Sequence, residues 1–442
     1  MARRGLGRGP LGSMPLGGAT EDVQGMSLKP SATVFRRLWI KRRQAADGLF
    51  EPDWQEISSF VKRWGSVERS IDDIKLNTFR NSGFNFVVAN DKGKFNKEDN
   101  LNSLWLGYLT RYKTLVKVEA GYETAGGTEV PSDPRLGIFV MNQEIPQSAD
   151  SNELQIPCSS LQVIFDEERA TNLSGILNTT LTASEIMAKI RDHTDGAGSF
   201  IFRQFITSTS WTIETTTSTY VYGADELRGS AWDLMNDLAE KEAKVLLINR
   251  TGGIEYRSRD ERTSASAFDF YGLGFPRMNM TKLTDFREAV DKYYTFFRYK
   301  YLDADTSTSY VTAGTTTTVS PSSLNWSYGA RTYDLESNSG VANTATAQAV
   351  VDRLYTELAT DVPEEAAWTA KFNPELEVLD KVTASYHSYN LAGKTLWDTF
   401  EWESGLWAIE GENFDWNSKG FKVLSLKTDL ERFDVSVKGR AI

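Results

Sequence analysis

Cysteine and histidine are almost missing from these 442 residues: there is one cysteine, Cys158, and there are two histidines, His193 and His387. A single thiol cannot close an internal disulfide, and a four-cysteine zinc or iron–sulfur site is excluded outright. Two imidazoles leave little for histidine chemistry. Positive charge is also short, with 49 Lys and Arg against 60 Asp and Glu, a formal net charge of −11. A chain that coats nucleic acid shows a basic face or stripe, and this balance runs the other way, leaving only a local patch open. No apolar run approaches the roughly 18 residues that span a bilayer. At the amino end Arg3, Arg4 and Arg8 are interrupted by Gly and Pro where a signal peptide would be apolar. HExxH, GxSxG, P-loop and EF-hand patterns are absent as well. The expectation is a soluble chain made in a reducing compartment.

What is present is an ordinary globular composition, 40% hydrophobic and 25% charged. The length suits about three domains of ~150 residues. Residues 1–33 are glycine-rich and low in complexity, and should form a flexible arm. Gly7, Gly9 and Gly12 formally match a dinucleotide fingerprint, but that motif needs a strand before it and a helix after it, and Pro10 sits inside the loop. From Val34 to Phe165 short strand signals dominate. They include Phe84–Val88 before an Asn90–Gly93 turn, Leu115–Val118, Leu136–Val140, and an alternating run from Leu154 to Phe165. Strands at this spacing predict a barrel or sandwich. Cys158 falls on the apolar side of its run and reads as a small core residue.

The period then changes. Thr182-Ala183-Ser184-Glu185 is a capping box, and Ile186, Met187 and Ile190 mark a short helix ending near His193. Phe200–Ile206 and Ser210–Tyr222 read as strands, the second rich in Thr and aromatics. Ala224–Ala243 carries the strongest helical stripe, through Leu227, Ala231, Leu234 and Leu238. A hairpin follows, Val245–Ile248 and Ile254–Tyr256 about a Thr251-Gly252-Gly253 turn. Further on, 292–302 is rich in Tyr and Phe, while 303–323 is mostly Ser, Thr, Gly and Asp and should be an exposed loop. A helix is expected over 346–360. Strands are expected at Leu376–Val382, Phe421–Leu426 and Arg432–Lys438. The resulting division is an arm at 1–33, a first β-barrel-like unit at 34–165, a helix-plus-hairpin unit at 166–268, a β-rich unit with the Ser/Thr loop and a helix at 269–365, and a C-terminal β unit at 366–442. The fold class is mainly β with several helices (α+β), in several domains.

Three constellations deserve weighing for chemistry. Six of the twelve tryptophans lie after residue 320, and Asp398, Glu401, Glu403, Glu410 and Glu412 interleave with Trp397, Trp402 and Trp407. Aromatic platforms beside paired carboxylates serve glycoside hydrolysis. A half-buried β-surface with solvated charges accounts for the same composition and is the preferred reading. His193 closes a helix, where an imidazole suits the C-terminal dipole, and His387 reads as a hydrogen-bonded structural residue between strands. The run Arg36, Arg37, Lys41, Arg42, Arg43 suits phosphates or an acidic partner surface. None of these nominates a catalytic, cofactor-binding or metal-binding residue, so no enzyme activity and no cofactor are expected.

The stretch Gly83-Phe84-Asn85-Phe86, through Asn90-Asp91-Lys92-Gly93-Lys94-Phe95, to Asn102-Ser103-Leu104-Trp105 resembles the opening domain of bacteriophage minor tail proteins. The order of later motifs is similar to the same family: apolar strands around Gly137 and Leu161, the helix with Trp232-Asp233-Leu234-Met235, then the Gly252-Gly253 hairpin and Tyr256-Arg257-Ser258-Arg259. The likeness covers 35–270 and, more loosely, 271–442, and Lys92 departs from the family's Asp–Gly turn. It implies a tail-tip or baseplate hub of a long-tailed phage, with β-barrel hub-like domains in a ring at the distal tail end. Expected with it are a homo-oligomer, as a trimer, and partners among other tail proteins: the distal tail protein, tape measure, and fibres or receptor-binding proteins. DNA would leave through the channel without specific binding, which an acidic chain favours. The setting would be the virion tail tip, assembled in the host cytoplasm, with roles in host attachment and genome ejection. The alternatives are a distal tail ring protein, and a carbohydrate-binding or glycoside-hydrolysing protein acting on host surface glycan.

Overall fold

A computed structural model describes residues 33–71, 79–81, 83–96, 100–109, 113–124, 126–141, 152–224, 226–242, 244–263, 265–272, 278–288, 293–302, 308–314, 331–336, 344–358, 364–387 and 415–442. The glycine-rich arm, apart from Thr33, and the Trp/carboxylate stretch at 397–412 lie outside them.

Period-two alternation builds the first large sheet. In Thr33–Lys41 the side chains of Leu38 and Ile40 are fully buried, while Arg37, Trp39 and Lys41 occupy the other face. The sheet runs in the order Gln55–Glu56, Thr33–Lys41, Thr114–Glu123, Arg135–Met141, Glu153–Ser160, Phe84–Ala89, Val61–Arg63, with Glu129–Val130 also paired to Thr114–Glu123. Every one of these pairings is antiparallel. Its terminal strands are two and three residues long, which limits the unpaired backbone that it presents.

A second large sheet holds Phe268–Tyr271, Lys381–His387, Asp415–Asp429, Asp434–Ala441, Glu364–Lys371 and Met280–Glu288, in that order. It takes two strands from the other end of the chain: Ser66–Ile71 pairs with Asp415–Asp429 over five positions, and Phe79–Asn81 pairs with Ser66–Ile71. Both sheets are half-barrels, and one apolar cluster runs through both, from Leu38, Phe84 and Val118 to Trp368, Phe421 and Val437.

The middle unit, near residues 161–258, has its own core. Helix Ala231–Lys241 lays Trp232, Leu234, Met235 and Leu238 over the hairpin Lys244–Ile248/Ile254–Ser258. Leu115 and Val140 of the first sheet, with Val378 and Leu379 near the second, join that core. A smaller unit packs helix Thr344–Leu358 on the three-stranded sheet of Thr308–Gly314, Phe296–Leu302 and Thr332–Glu336.

The capping box at Thr182 is present, with the Glu185 amide donating to Thr182 Oγ1 at 3.3 Å and the Thr182 amide donating to Glu185 at 2.8 Å. Several expected elements differ. The long helix starts at Ala231 instead of 224, because Gly229 turns left-handed (φ +81°) and Ser230 forms its own capping box with Asp233. Phe200 makes an isolated bridge to Thr194, residues 201–206 form turns, and 210–222 keeps only Trp211–Ile213 and Thr219–Tyr220 as strand. There Asp195 accepts the amides of Ala197 and Ser199, and hydroxyl pairs such as Thr216–Ser184 replace ladder bonds. The run from Leu154 is strand to Ser160 and helix over Gln162–Asp166. Within 303–323, Thr308–Gly314 is a strand because it pairs along the whole of Phe296–Leu302. At 376–382 the strand begins only at Lys381, since the Glu377 amide donates to Asp380 and Leu379 is left-handed (φ +69°).

Candidate functional site

Among the described residues, those weighed for chemistry do not converge. Cys158 is buried, and burial pushes its thiol far above the usual range. His193 is buried 3.7 Å from Glu168 at the end of helix Ala183–Arg191. His387 ends a strand, opposite Asp415. Trp368 and Trp416 are core residues, each edge-on or tilted to Phe421 at 5.4 and 5.2 Å. The remaining tryptophans and acids of that stretch, and the glycine fingerprint, lie outside the described residues. Among the described residues there is no cluster of metal-ligating side chains, and no helix is long and apolar enough to cross a membrane.

The basic run is satisfied largely from within. Arg37 pairs with Glu129 at 2.5 Å, and Arg42 pairs with Glu51 at 3.0 Å while stacking on Tyr108. Arg43 donates to the carbonyl of Gly48, and Lys41 lies over Trp54. A phosphate would have to displace these partners. The outer face of the first sheet is therefore a lattice of aromatics and paired charges, in which Trp39 donates to Glu119 and Lys117 sits over both Trp39 and Trp54.

Arg36 does something different. It donates to the carbonyl of Leu430 at 2.5 Å, lies 3.6 Å from Glu431, and stacks on Trp64 and Phe433. Tyr122, from the neighbouring strand, donates its hydroxyl to the carbonyl of Phe372 at 2.6 Å, and burial raises its phenol well above the ordinary value. These contacts seam the two half-barrels together. Arg36 belonged to the run legible in sequence, but its partners stand near the far end of the chain, where no local pattern could announce them.

A second junction joins the middle unit to the C-terminal sheet. Arg69 pairs with Glu377; Arg262 is 2.9 Å from Glu255, 3.9 Å from Glu377 and 3.9 Å from Asp380. Arg262 also donates to the carbonyl of Val378. Five charged side chains, all largely buried, thus meet where three segments of the chain cross. At a third junction Arg353 pairs with Glu242 at 2.7 Å and donates to Ser218, tying the small helical-sheet unit to the middle one.

The chemistry of these junctions is that of fastening, and the fold defines the class: a two-half-barrel β protein with a helical middle unit. No protein-family model matches the chain, and no curated protein matches it in sequence. Solved structures do. A tail protein from Neisseria meningitidis MC58 matches with a TM-score of 0.50 at 8% identity, over 92% of this chain and 96% of that one. The prophage tail protein gp18 from Listeria monocytogenes EGD-e gives 0.49 at 12% identity, over 91% and 94%. A 43 kDa tail protein of prophage MuSo2 from Shewanella oneidensis gives 0.45 at 11%, over 92% and 98%. The fold assignment rests on the Neisseria protein.

Proposed function

We propose that this chain is a structural protein of a phage-type tail, the hub at the distal end of a long-tailed phage, which works by assembly and not by catalysis. The observation that carries the reading is the pair of half-barrels sharing one core, in a fold that matches the Neisseria tail protein over 92% of this chain and 96% of that one. The junctions support it, since their charged side chains pair with one another across distant segments of the chain. A trimeric ring, contacts with other tail proteins, a place at the virion tail tip and roles in host attachment and genome ejection belong to the same proposal. So do the unit boundaries at residues 165, 268 and 365.

The test is light scattering with negative-stain imaging of the purified chain, alone and mixed with candidate distal tail and tape-measure proteins. Trimeric rings with a central opening are expected. Hexameric rings would replace the hub reading with the distal tail ring, and a chain that stays monomeric in every mixture would overturn both.

A further inference from the structure

The junction of Arg69, Glu255, Arg262, Glu377 and Asp380 holds three carboxylates against two guanidinium groups within ion-pair reach. Two of the acids have close cations: Glu377 takes Arg69, and Glu255 takes Arg262. Asp380 does not. Its nearest guanidinium is 3.9 Å away, and its one short contact accepts the backbone amide of Glu377 at 2.7 Å. Two other cations of the surrounding elements are engaged elsewhere. Arg250, from the hairpin turn, donates to the carbonyl of Asp133; Lys422, from Asp415–Asp429, lies 3.7 Å from Glu261 and donates to the carbonyl of Arg259. Arg257 shares the face of Glu255 in Ile254–Ser258, and the buried Arg259 follows the strand. With every acid ionised, the five-residue cluster carries one buried negative charge in excess, and a buried charge without a close partner is costly.

We propose that this junction is a proton-operated clamp between the middle unit and the C-terminal half-barrel: a proton taken up on Asp380 neutralises the cluster and holds the two together, and its release loosens them. The members sit on elements that have to separate if the units move. Glu255 and Arg262 belong to the middle unit's hairpin strand and the segment after it, Arg69 to a strand of the C-terminal sheet, and Glu377 and Asp380 to the turn before Lys381–His387. Burial raises the Asp380 carboxyl to about 6, and opening would return it to the ordinary carboxylate range, so the closed form binds the proton more tightly. The clamp is therefore firmer below about pH 6 and weaker above it. This inference does not depend on the tail reading.

Hydrogen–deuterium exchange of the full chain tests it, following peptides over 249–263 and 376–382 from pH 5 to 8 after correction for intrinsic rates. Protection should fall by about tenfold or more across that range, since each unit of differential pKa is about tenfold in the opening equilibrium. Asp380→Asn should keep the acid-side protection at every pH. Glu255→Gln removes one of the competing acids and should move the midpoint to lower pH. A wild-type profile flat from pH 5 to 8 would overturn the clamp, as would an Asp380→Asn profile that follows the wild type. Should Asp380→Asn not fold, the wild-type profile and the Glu255→Gln midpoint decide it.

Discussion

Asn279 shows what a single buried amide can do. It is 2% exposed and stands just before the strand Met280–Glu288, at one end of the C-terminal sheet. Its side chain donates to the carbonyl of Asp269 and accepts the amide of Tyr271, two groups on the strand at the opposite end of that sheet. Its own amide donates to Tyr271 as well. The residue thus bridges the two ends of the open barrel. Asn279→Leu strands two buried backbone groups and should cost about 2–4 kcal/mol, read as a lower denaturant midpoint with an unchanged slope. Cys158 gives a simpler expectation: with its sulfur buried, modification by a thiol reagent should be limited by unfolding, and rapid labelling of the native chain would refute that. Asp380 supplies the pH dependence. Its folded carboxyl is raised to about 6 and an unfolded aspartate titrates near 4, so the folded state holds the extra proton between them. Stability from this group is greatest below about pH 4 and falls by roughly 3 kcal/mol as pH rises through 6. The gain in melting temperature of Asp380→Asn over wild type should accordingly be larger at pH 7.5 than at pH 4.5.

Elements were legible where one local rule governed them. The Thr182 box, the Gly252–Gly253 hairpin and the strand at Phe84–Val88 are each fixed by neighbours in sequence, and each is found. Misreadings cluster where a local hydrogen bond or a distant partner outweighed propensity. Ser230 and Gly229 started the central helix seven residues later than its apolar stripe suggested, because a stripe records which face is buried and not where the helix begins. Ser230→Ala should cost about 1 kcal/mol, measurable by chemical denaturation, and Ser230→Asp should restore most of it. The polar run at 308–314 became a strand through partners on Phe296–Leu302 and Thr344–Leu358, and Ser/Thr composition alone carries no sign of them. Gly83 marks another long-range demand. A Cβ there would meet the Cys158 carbonyl oxygen at 2.2 Å, so Gly83→Ala must push the strand Glu153–Ser160 away from Phe84–Ala89. A loss of about 1–3 kcal/mol in equilibrium unfolding is expected.

At the scale of the molecule, the question is what keeps two half-barrels acting as one body. The Tyr122 hydroxyl and the Arg36 guanidinium cross the seam to backbone carbonyls, and Trp64 donates its amide to Glu431 beside them. Tyr122→Phe removes one bond between otherwise apolar surfaces and should cost about 1 kcal/mol, while Arg36→Ala removes a bond, an ion pair and two aromatic stacks and should cost more. A calorimetric trace that splits into two transitions in the double variant would show that the seam makes unfolding cooperative; one sharp transition would assign that role to the shared core.

Composition and local pattern determined that this would be a mainly β, α+β chain with a buried cysteine and a helix-plus-hairpin stretch in its middle. Those properties depend on residue type and on spacings of two to four, which a linear reading contains. The tertiary structure alone decided that Ser66–Ile71 would cross into the C-terminal sheet, that Arg36 would find Glu431, and that Arg69, Glu255, Arg262, Glu377 and Asp380 would share one buried site. A charge in sequence has no partner until the chain closes loops of hundreds of residues, and the energy of burying it is set by what those loops bring to within a few ångströms.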